Sequence, residues 1–145
     1  MSDATLTAPR AEQIEHHHRS EVVLPTLEVA GIAGLAAMIA IHATELSGKV
    51  SEVAYLGFGY LALIVAGFIA IVMLAVGDRR RGWALAGLTA GATLTGYVLT
   101  RTTGLPASHD DVGNWGETLA VWAMVVEIGI VLLSAVALTR PRRRA

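Results

Sequence analysis

The sequence predicts an all-α fold, a four-helix transmembrane bundle with up-down topology and both termini in the cytoplasm. Hydrophobic residues make up 54% of the 145 positions, and the mean hydropathy is +0.57. These residues form four long apolar runs, whereas the charged residues lie between the runs and at the ends. Soluble domains have roughly 45–50% apolar residues interspersed with charge, so the pattern is typical of a membrane protein.

Each apolar run is long enough to cross a bilayer. A helix rises about 1.5 Å per residue, so roughly 20 residues span ~30 Å of hydrocarbon. The four predicted helices form a transmembrane domain over residues 22–139, and they cover about residues 24–43, 53–76, 83–100 and 119–138. We therefore expect short connections between them and a compact bundle.

Small and aromatic residues in these runs indicate how the helices pack. Pro25 suits the first turn of the first helix. Gly57 in the second helix, and Gly87 and Gly91 in the third, favour close approach of a neighbouring helix. Trp83 opens the third run, where an aromatic side chain is expected at the membrane interface.

Polar segments flank the transmembrane domain. Residues 1–21 have no periodic apolar face and are predicted to be a flexible tail with little intrinsic order. This tail contains His16–His18, which suits a divalent metal ion or is simply an exposed polar tract. Residues 140–145 form a second, basic tail.

The distribution of Lys and Arg predicts the orientation in the membrane. Arg79–Arg81 lie between the second and third runs, and four further arginines lie at positions 140–144. The other two connections contain only Lys49 and Arg101. Because short loops rich in Lys and Arg stay in the cytoplasm, we expect a multi-pass protein of the plasma membrane with both termini inside.

The composition also excludes several kinds of site. The chain has no cysteine, so disulfides and thiolate metal sites are absent. No phosphate-binding loop, HExxH motif or nucleophile–base pair is found, and an enzyme is therefore not the favoured interpretation. The arginine runs flank transmembrane segments and suit anionic lipid rather than nucleic acid.

The predicted topology brings histidine and carboxylate side chains to the outer half of the molecule. These are His42 and Glu45 at the end of the first run, and His109 and Asp110 in the loop before the fourth run. Imidazole and carboxylate groups are ligands for zinc or copper, so a metal site is one hypothesis. A second is a haem or quinone site that uses one of the two histidines.

A third interpretation of the outer residues is structural. Here the polar groups satisfy one another: Arg101 pairs with Glu117 or Asp110, and His42 bonds Glu45 or a loop carbonyl. The loop would then be a cap on the bundle.

Glu127 lies inside the fourth apolar run. An ionised carboxylate at that depth costs about 2.5–3.5 kcal/mol on insertion scales. Intramembrane carboxylates are associated with proton transfer and partner binding. The structural alternative is a protonated Glu127 bonded to a threonine or a carbonyl of the third helix.

Two motifs resemble a set of small four-helix membrane proteins of actinobacteria. One is the segment 41–45, Ile-His-Ala-Thr-Glu, which continues to Glu52. The other is the segment 101–106, Arg-Thr-Thr-Gly-Leu-Pro, followed by His109 and an acidic stretch with a tryptophan. The resemblance covers about residues 27–138. It implies a membrane location and a shared outer motif, and it implies no catalytic role.

Three functions are compatible with these features. The first is an accessory or structural subunit of a larger membrane assembly, with the lipid bilayer and other membrane proteins, or further copies of this chain, as partners. The second is a metal- or haem/quinone-binding membrane protein that uses the outer cluster. The third is a component of a proton-coupled transporter centred on Glu127.

Overall fold

The computed structural model describes the backbone of residues 8–140 and the side chains of residues 26–140. Within this part of the chain the fold is entirely helical and contains no strand. The elements are α1 (Ala8–Glu52), α2 (Ala54–Ala75), α3 (Arg79–Thr102) and α4 (Thr118–Thr139). The predicted all-α class is confirmed.

Three helical segments are long and apolar enough to cross a membrane. They are Thr26–Glu52 within α1, and the whole of α2 and α4. α3 has a similar length of 24 residues, but its threonines and terminal arginines make it more polar. The structure thus supports a helical membrane protein, and a fourth crossing by α3 stays a prediction.

α1 is longer at both ends than the first predicted helix. Its backbone is helical from Ala8, within the segment expected to be a flexible tail, and it continues through Pro25. Residues 1–7 and the side chains of His16–His18 lie outside the described part of the chain. Ala, Glu, Gln and Arg, which are frequent in this segment, are good helix formers, and this explains the longer helix.

The polar connection expected between the first two helices is itself part of α1. Only Val53, with an extended φ of −145°, separates α1 from α2. Local contacts satisfy the polar groups of this last part of α1: Lys49 Nζ lies 2.9 Å from Glu52 Oε2, and Ser51 Oγ donates to the Ser47 carbonyl. Consequently, residues near position 42 lie deeper in the bundle than the sequence pattern suggests.

The four helices pack as a ring in which each helix contacts its two neighbours, in the order α1, α2, α3, α4 and back to α1. The loop end of this ring is the end formed by Val53 and the loop of residues 103–117. The arginine end is formed by the turn of residues 76–78 and by Arg79–Arg81. At the arginine end Arg79 pairs with Glu28, so α3 begins beside α1.

The hydrophobic core fills the half of the ring nearer the arginine end. All four helices contribute to it, and its buried members are Leu35, Met38, Leu63, Ala70, Leu74, Trp83, Ala86, Ala90 and Ile130. Trp83 is only 4% exposed, so its indole packs between the helices, and its expected depth at the membrane interface stays a prediction. The indole packs against Gly31, where a Cβ atom would overlap the ring, because glycine leaves room for the large side chain.

We expect Gly31→Ala to destabilise the bundle by about 1–3 kcal/mol, the usual cost of overpacking a core. Gly91→Ala is the matched control, since a Cβ atom there meets nothing within 4 Å and alanine favours the helix by up to about 1 kcal/mol. Thermal unfolding in detergent measures both. A Gly31→Ala protein as stable as the Gly91→Ala protein would contradict this packing.

Candidate functional site

A cavity of about 590 Å³ occupies the half of the ring nearer the loop end, and all four helices line it. Helical register explains how polar residues reach it. His42, Glu45 and Lys49 follow one another at spacings of three and four along α1 and share one face of that helix. All three line the cavity, so α1 presents a polar stripe to an otherwise mainly apolar space.

The deepest polar contact is between α1 and α4. His42 and Glu127 are 5% and 1% exposed, and His42 Nε2 lies 3.5 Å from Glu127 Oε1. The other ring nitrogen, Nδ1, lies 2.9 Å from the Met38 carbonyl oxygen. Because a carbonyl only accepts, Nδ1 carries a hydrogen in this contact. Nε2 is therefore the nitrogen that gains or loses a proton beside Glu127.

Sequence reasoning did not predict this pair, since it placed His42 at the outer surface and Glu127 beside the third helix. His42 lies ten residues before Glu52, and Glu127 lies ten residues after Glu117, the residue preceding α4. At 1.5 Å per residue, both lie roughly 15 Å from the loop end. The equal distance of ten residues from each helix end can be read from the sequence. It was missed because the first helix was predicted to end at residue 43 instead of Glu52.

His42 and Glu127 are called the deep pair below. Tyr60 lies between this pair and the loop end. Its ring lies 5.1 Å from the His42 ring, centroid to centroid, at an interplanar angle of 59°. Its hydroxyl donates to Glu45 Oε2 over 3.2 Å. Tyr60, His42 and Glu45 all line the cavity, so α2 supplies a hydroxyl between two polar residues of α1.

Arg101 organises the loop end of the cavity. It is 5% exposed, and its guanidinium lies 2.6 Å from Asp111 Oδ1 and 2.7 Å from Glu117 Oε2. Its carbonyl also accepts a hydrogen bond from the Gly113 amide. The Tyr97 ring lies 5.2 Å from the guanidinium carbon. One side chain thus ties the end of α3 to both the loop and the start of α4.

The loop itself is held by backbone geometry and by α2. Gly104 has a φ of +73°, and a Cβ atom there would overlap His109 Nδ1. Glycine is therefore required both for the turn and for the close approach of the imidazole. The Tyr55 hydroxyl donates to the Pro106 carbonyl over 2.8 Å, which fixes the loop against the start of α2.

The four predicted metal ligands are not assembled into one group. His42 pairs with Glu127, Glu45 accepts from a tyrosine, and His109 packs against Gly104. Asp110 is exposed. Its neighbour Asp111 is the residue that contacts Arg101. Across residues 26–140, no three His, Asp or Glu side chains are placed to hold a metal ion.

Polar atoms on the cavity wall are left without a hydrogen-bond partner among the described residues. They are Tyr97 Oη, Arg101 Nε and Glu127 Oε1, all three of them buried. A buried polar atom without a partner costs roughly 1–3 kcal/mol, so most such atoms in proteins are satisfied by protein, water or ligand.

Comparison with protein-family models, with curated proteins and with solved structures finds no match. The resemblance to small four-helix membrane proteins therefore stays a prediction. The cavity and the polar atoms in its wall are the features of this chain that indicate a function.

We expect Arg101→Gln to destabilise the protein by about 1.5–3 kcal/mol, because it removes the hydrogen bonds between a buried cation and two partly exposed carboxylates. Arg81→Gln is the control. That arginine pairs with Asp78 at 3.4 Å but is 81% exposed, and exposed pairs contribute about 0–1 kcal/mol. Thermal unfolding in detergent compares the two. Equal effects would show that the Arg101 contacts do not hold the loop.

Proposed function

We propose that this protein is an integral membrane protein that binds a neutral, lipid-soluble ligand of the quinone class between its four helices. One observation carries the proposal: a cavity of about 590 Å³ is lined by Tyr97, Arg101 and Glu127, and each of these residues has a buried polar atom without a hydrogen-bond partner among the described residues. Ligand sites are typically apolar clefts of roughly 300–1,000 Å³ with a few convergent polar groups.

The surroundings of the cavity favour a ligand that dissolves in lipid. Most of its wall is formed by aliphatic side chains and by tyrosine rings, among them Leu63, Leu85, Met124 and Tyr55. The helices that carry this wall include three that are apolar enough to cross a membrane. A flat aromatic ring packs well against tyrosine, and an apolar chain attached to it suits the aliphatic wall.

The charges at the loop end favour a neutral ligand over an anionic one. Arg101 is already neutralised by Asp111 and Glu117, and Lys49 lies 2.9 Å from Glu52. Glu45 adds a further carboxylate to the lining. A carboxylate or phosphate on the ligand would therefore meet more negative than uncompensated positive charge.

The positions of the polar atoms suit a ring with an oxygen on each of two opposite edges. Arg101 Nε and Tyr97 Oη can donate to a carbonyl oxygen at the loop end of the cavity. At the deep end, the oxygen of Glu127 accepts from a hydroxyl when ionised and donates to a carbonyl when protonated. A quinone has two carbonyls and a quinol two hydroxyls, so this wall is complementary to both forms.

The other functions suggested by the sequence differ from this proposal in what they require. Haem ligation by two histidines requires both on facing helices, and His109 lies in a loop. A proton-coupled transporter centred on Glu127 requires proton flux across the membrane that depends on this carboxylate, whereas ligand binding does not. An accessory subunit of a larger membrane assembly is compatible with the proposal, because such a subunit can contribute a quinone site.

We also propose that the chain crosses the plasma membrane four times, with α3 as the fourth crossing helix and both termini in the cytoplasm. The segregation of Lys and Arg supports this orientation, since Arg79–Arg81 lie at one end and the loop of residues 103–117 at the other.

The binding proposal predicts that decylubiquinone raises the unfolding temperature of the purified protein. A ligand at 100 times its Kd stabilises by about 2.7 kcal/mol. Ala66→Phe places a large ring in the cavity and should abolish this stabilisation, as should Ala92→Phe from the neighbouring helix α3. The measurement is thermal unfolding in detergent with increasing decylubiquinone.

Ala75→Phe is the matched control, because it makes the same change at an exposed position of α2 away from the cavity. It should keep the full response. An unchanged unfolding temperature of the natural protein, or equal responses of all four proteins, would contradict the site. Proton flux in liposomes that Glu127→Gln abolishes, without a response to decylubiquinone, would favour the transporter hypothesis.

The orientation is tested by single cysteines, since the natural chain has none. Val112 is 46% exposed, and Val112→Cys should react with a membrane-impermeant maleimide added to intact cells. Arg80→Cys, in the exposed turn at the opposite end, should react only after the cells are opened. The reverse pattern, or equal labelling in intact cells, would contradict the proposed topology.

A further inference from the structure

We infer that the cavity has a built-in proton route from the loop end to its deep pair, formed by Glu45, Tyr60, His42 and Glu127. The inference rests on the proposed function for the identity of the final proton acceptor, a quinone-class ligand. The route itself consists of side chains of this chain and is testable without any ligand.

The outer step is the hydrogen bond between Tyr60 and Glu45. The hydroxyl lies 3.2 Å from the carboxylate oxygen, and Glu45 is half-buried near the loop end. Among residues 26–140, the ion pairs connect Arg101 and Lys49 to carboxylates other than Glu45. Glu45 is therefore the carboxylate of this region whose direct partner is a hydroxyl, and it can pass a proton to that hydroxyl.

The middle step crosses from Tyr60 to the deep pair. The Tyr60 and His42 rings are 5.1 Å apart, but His42 Nδ1 is held by the Met38 carbonyl and Nε2 faces Glu127. Direct transfer between the two rings is thus blocked. All these residues except Met38 border the cavity of about 590 Å³, whereas one water molecule takes about 30 Å³. Water in the cavity is the carrier for this step.

The inner step is the exchange between that water and the His42–Glu127 pair. When Glu45 takes up a proton, the Tyr60 hydroxyl turns from Glu45 to water, and the Glu45 O–H then donates to the Tyr60 oxygen. The Glu45 proton moves to that oxygen while the Tyr60 O–H proton leaves to water. That water then gives one proton to the pair. Each O–H or N–H bond that breaks is matched by one that forms, no electron moves, and the net change is one proton carried inward.

Other charged and titratable groups border the route on every side. They are Lys49 on α1, Tyr55 on α2, Tyr97 and Arg101 on α3, Asp111 in the loop and Glu117 before α4. Arg101, Lys49 and their carboxylates are bound to one another, and Tyr55 donates to the Pro106 carbonyl. These partners hold all of them except Tyr97, whose hydroxyl has no hydrogen-bond partner among the described residues. Tyr60 is the lining tyrosine whose hydroxyl donates to a carboxylate.

The experiment measures hydrogen–deuterium exchange of the deep pair. Infrared spectroscopy detects the exchange, on the ligand-free full chain in detergent. The shared proton appears either as a carboxylic acid band of Glu127 or as imidazolium bands of His42. Glu127→Gln identifies these bands by removing them. Tyr60→Phe keeps the ring beside His42 and removes only the hydroxyl. Thr95→Val is the control, because it also removes one hydroxyl but does so at an exposed position of α3 that does not line the cavity.

We expect Tyr60→Phe and Glu45→Gln to slow the exchange at least about tenfold, which corresponds to about 1.4 kcal/mol of barrier, and Thr95→Val to leave it unchanged. Equal exchange in Tyr60→Phe and the natural protein would overturn the route. So would the absence of both bands, since the pair then holds no exchangeable proton.

The response to decylubiquinone is a separate measurement on the same variants. If the exchange depends on Tyr60 but decylubiquinone does not bind, then the proposed function fails and the route stands. If decylubiquinone binds but the exchange is independent of Tyr60, then the route fails and the proposed function stands.

Discussion

The contact between His42 and Glu127 is the constraint on which the rest of the structure depends. Two ionisable groups are buried on different helices inside a largely apolar bundle, where an isolated charge is expensive. They are brought within 3.5 Å of each other, so α1 and α4 must pack at one relative height. The ring of four helices then closes with the polar stripe of α1 facing inward. This stripe gives the mainly apolar cavity one polar side.

The two halves of the ring are built differently for a physical reason. Toward the arginine end, Trp83 fills the space that Gly31 leaves open, and large aliphatic side chains meet in a dense core. Toward the loop end, alanines and glycines of α2 and α3 face the interior, and the space between the helices remains open. The dense half holds the helices in register, and the open half can therefore contain a cavity without loss of the fold.

Arg101 connects the cavity to the loop that closes it. Its charge is balanced by Asp111 and Glu117, and its Nε has no hydrogen-bond partner among the described residues. One residue therefore anchors the loop and also lines the cavity. Under the proposed function, this balance of charge favours a neutral acceptor over an anion.

The sequence by itself determined the helical class, the number of helices and the apolar segments suited to a membrane, because these follow from runs of local composition and from the rise of a helix. It also singled out Glu127 as an unusual carboxylate. Only the tertiary structure decided that Glu127 meets His42, that Trp83 is buried, and that His109 packs on Gly104 instead of joining a metal site. Such contacts depend on the relative height and rotation of separate helices, and these are set by how side chains of distant segments fit together.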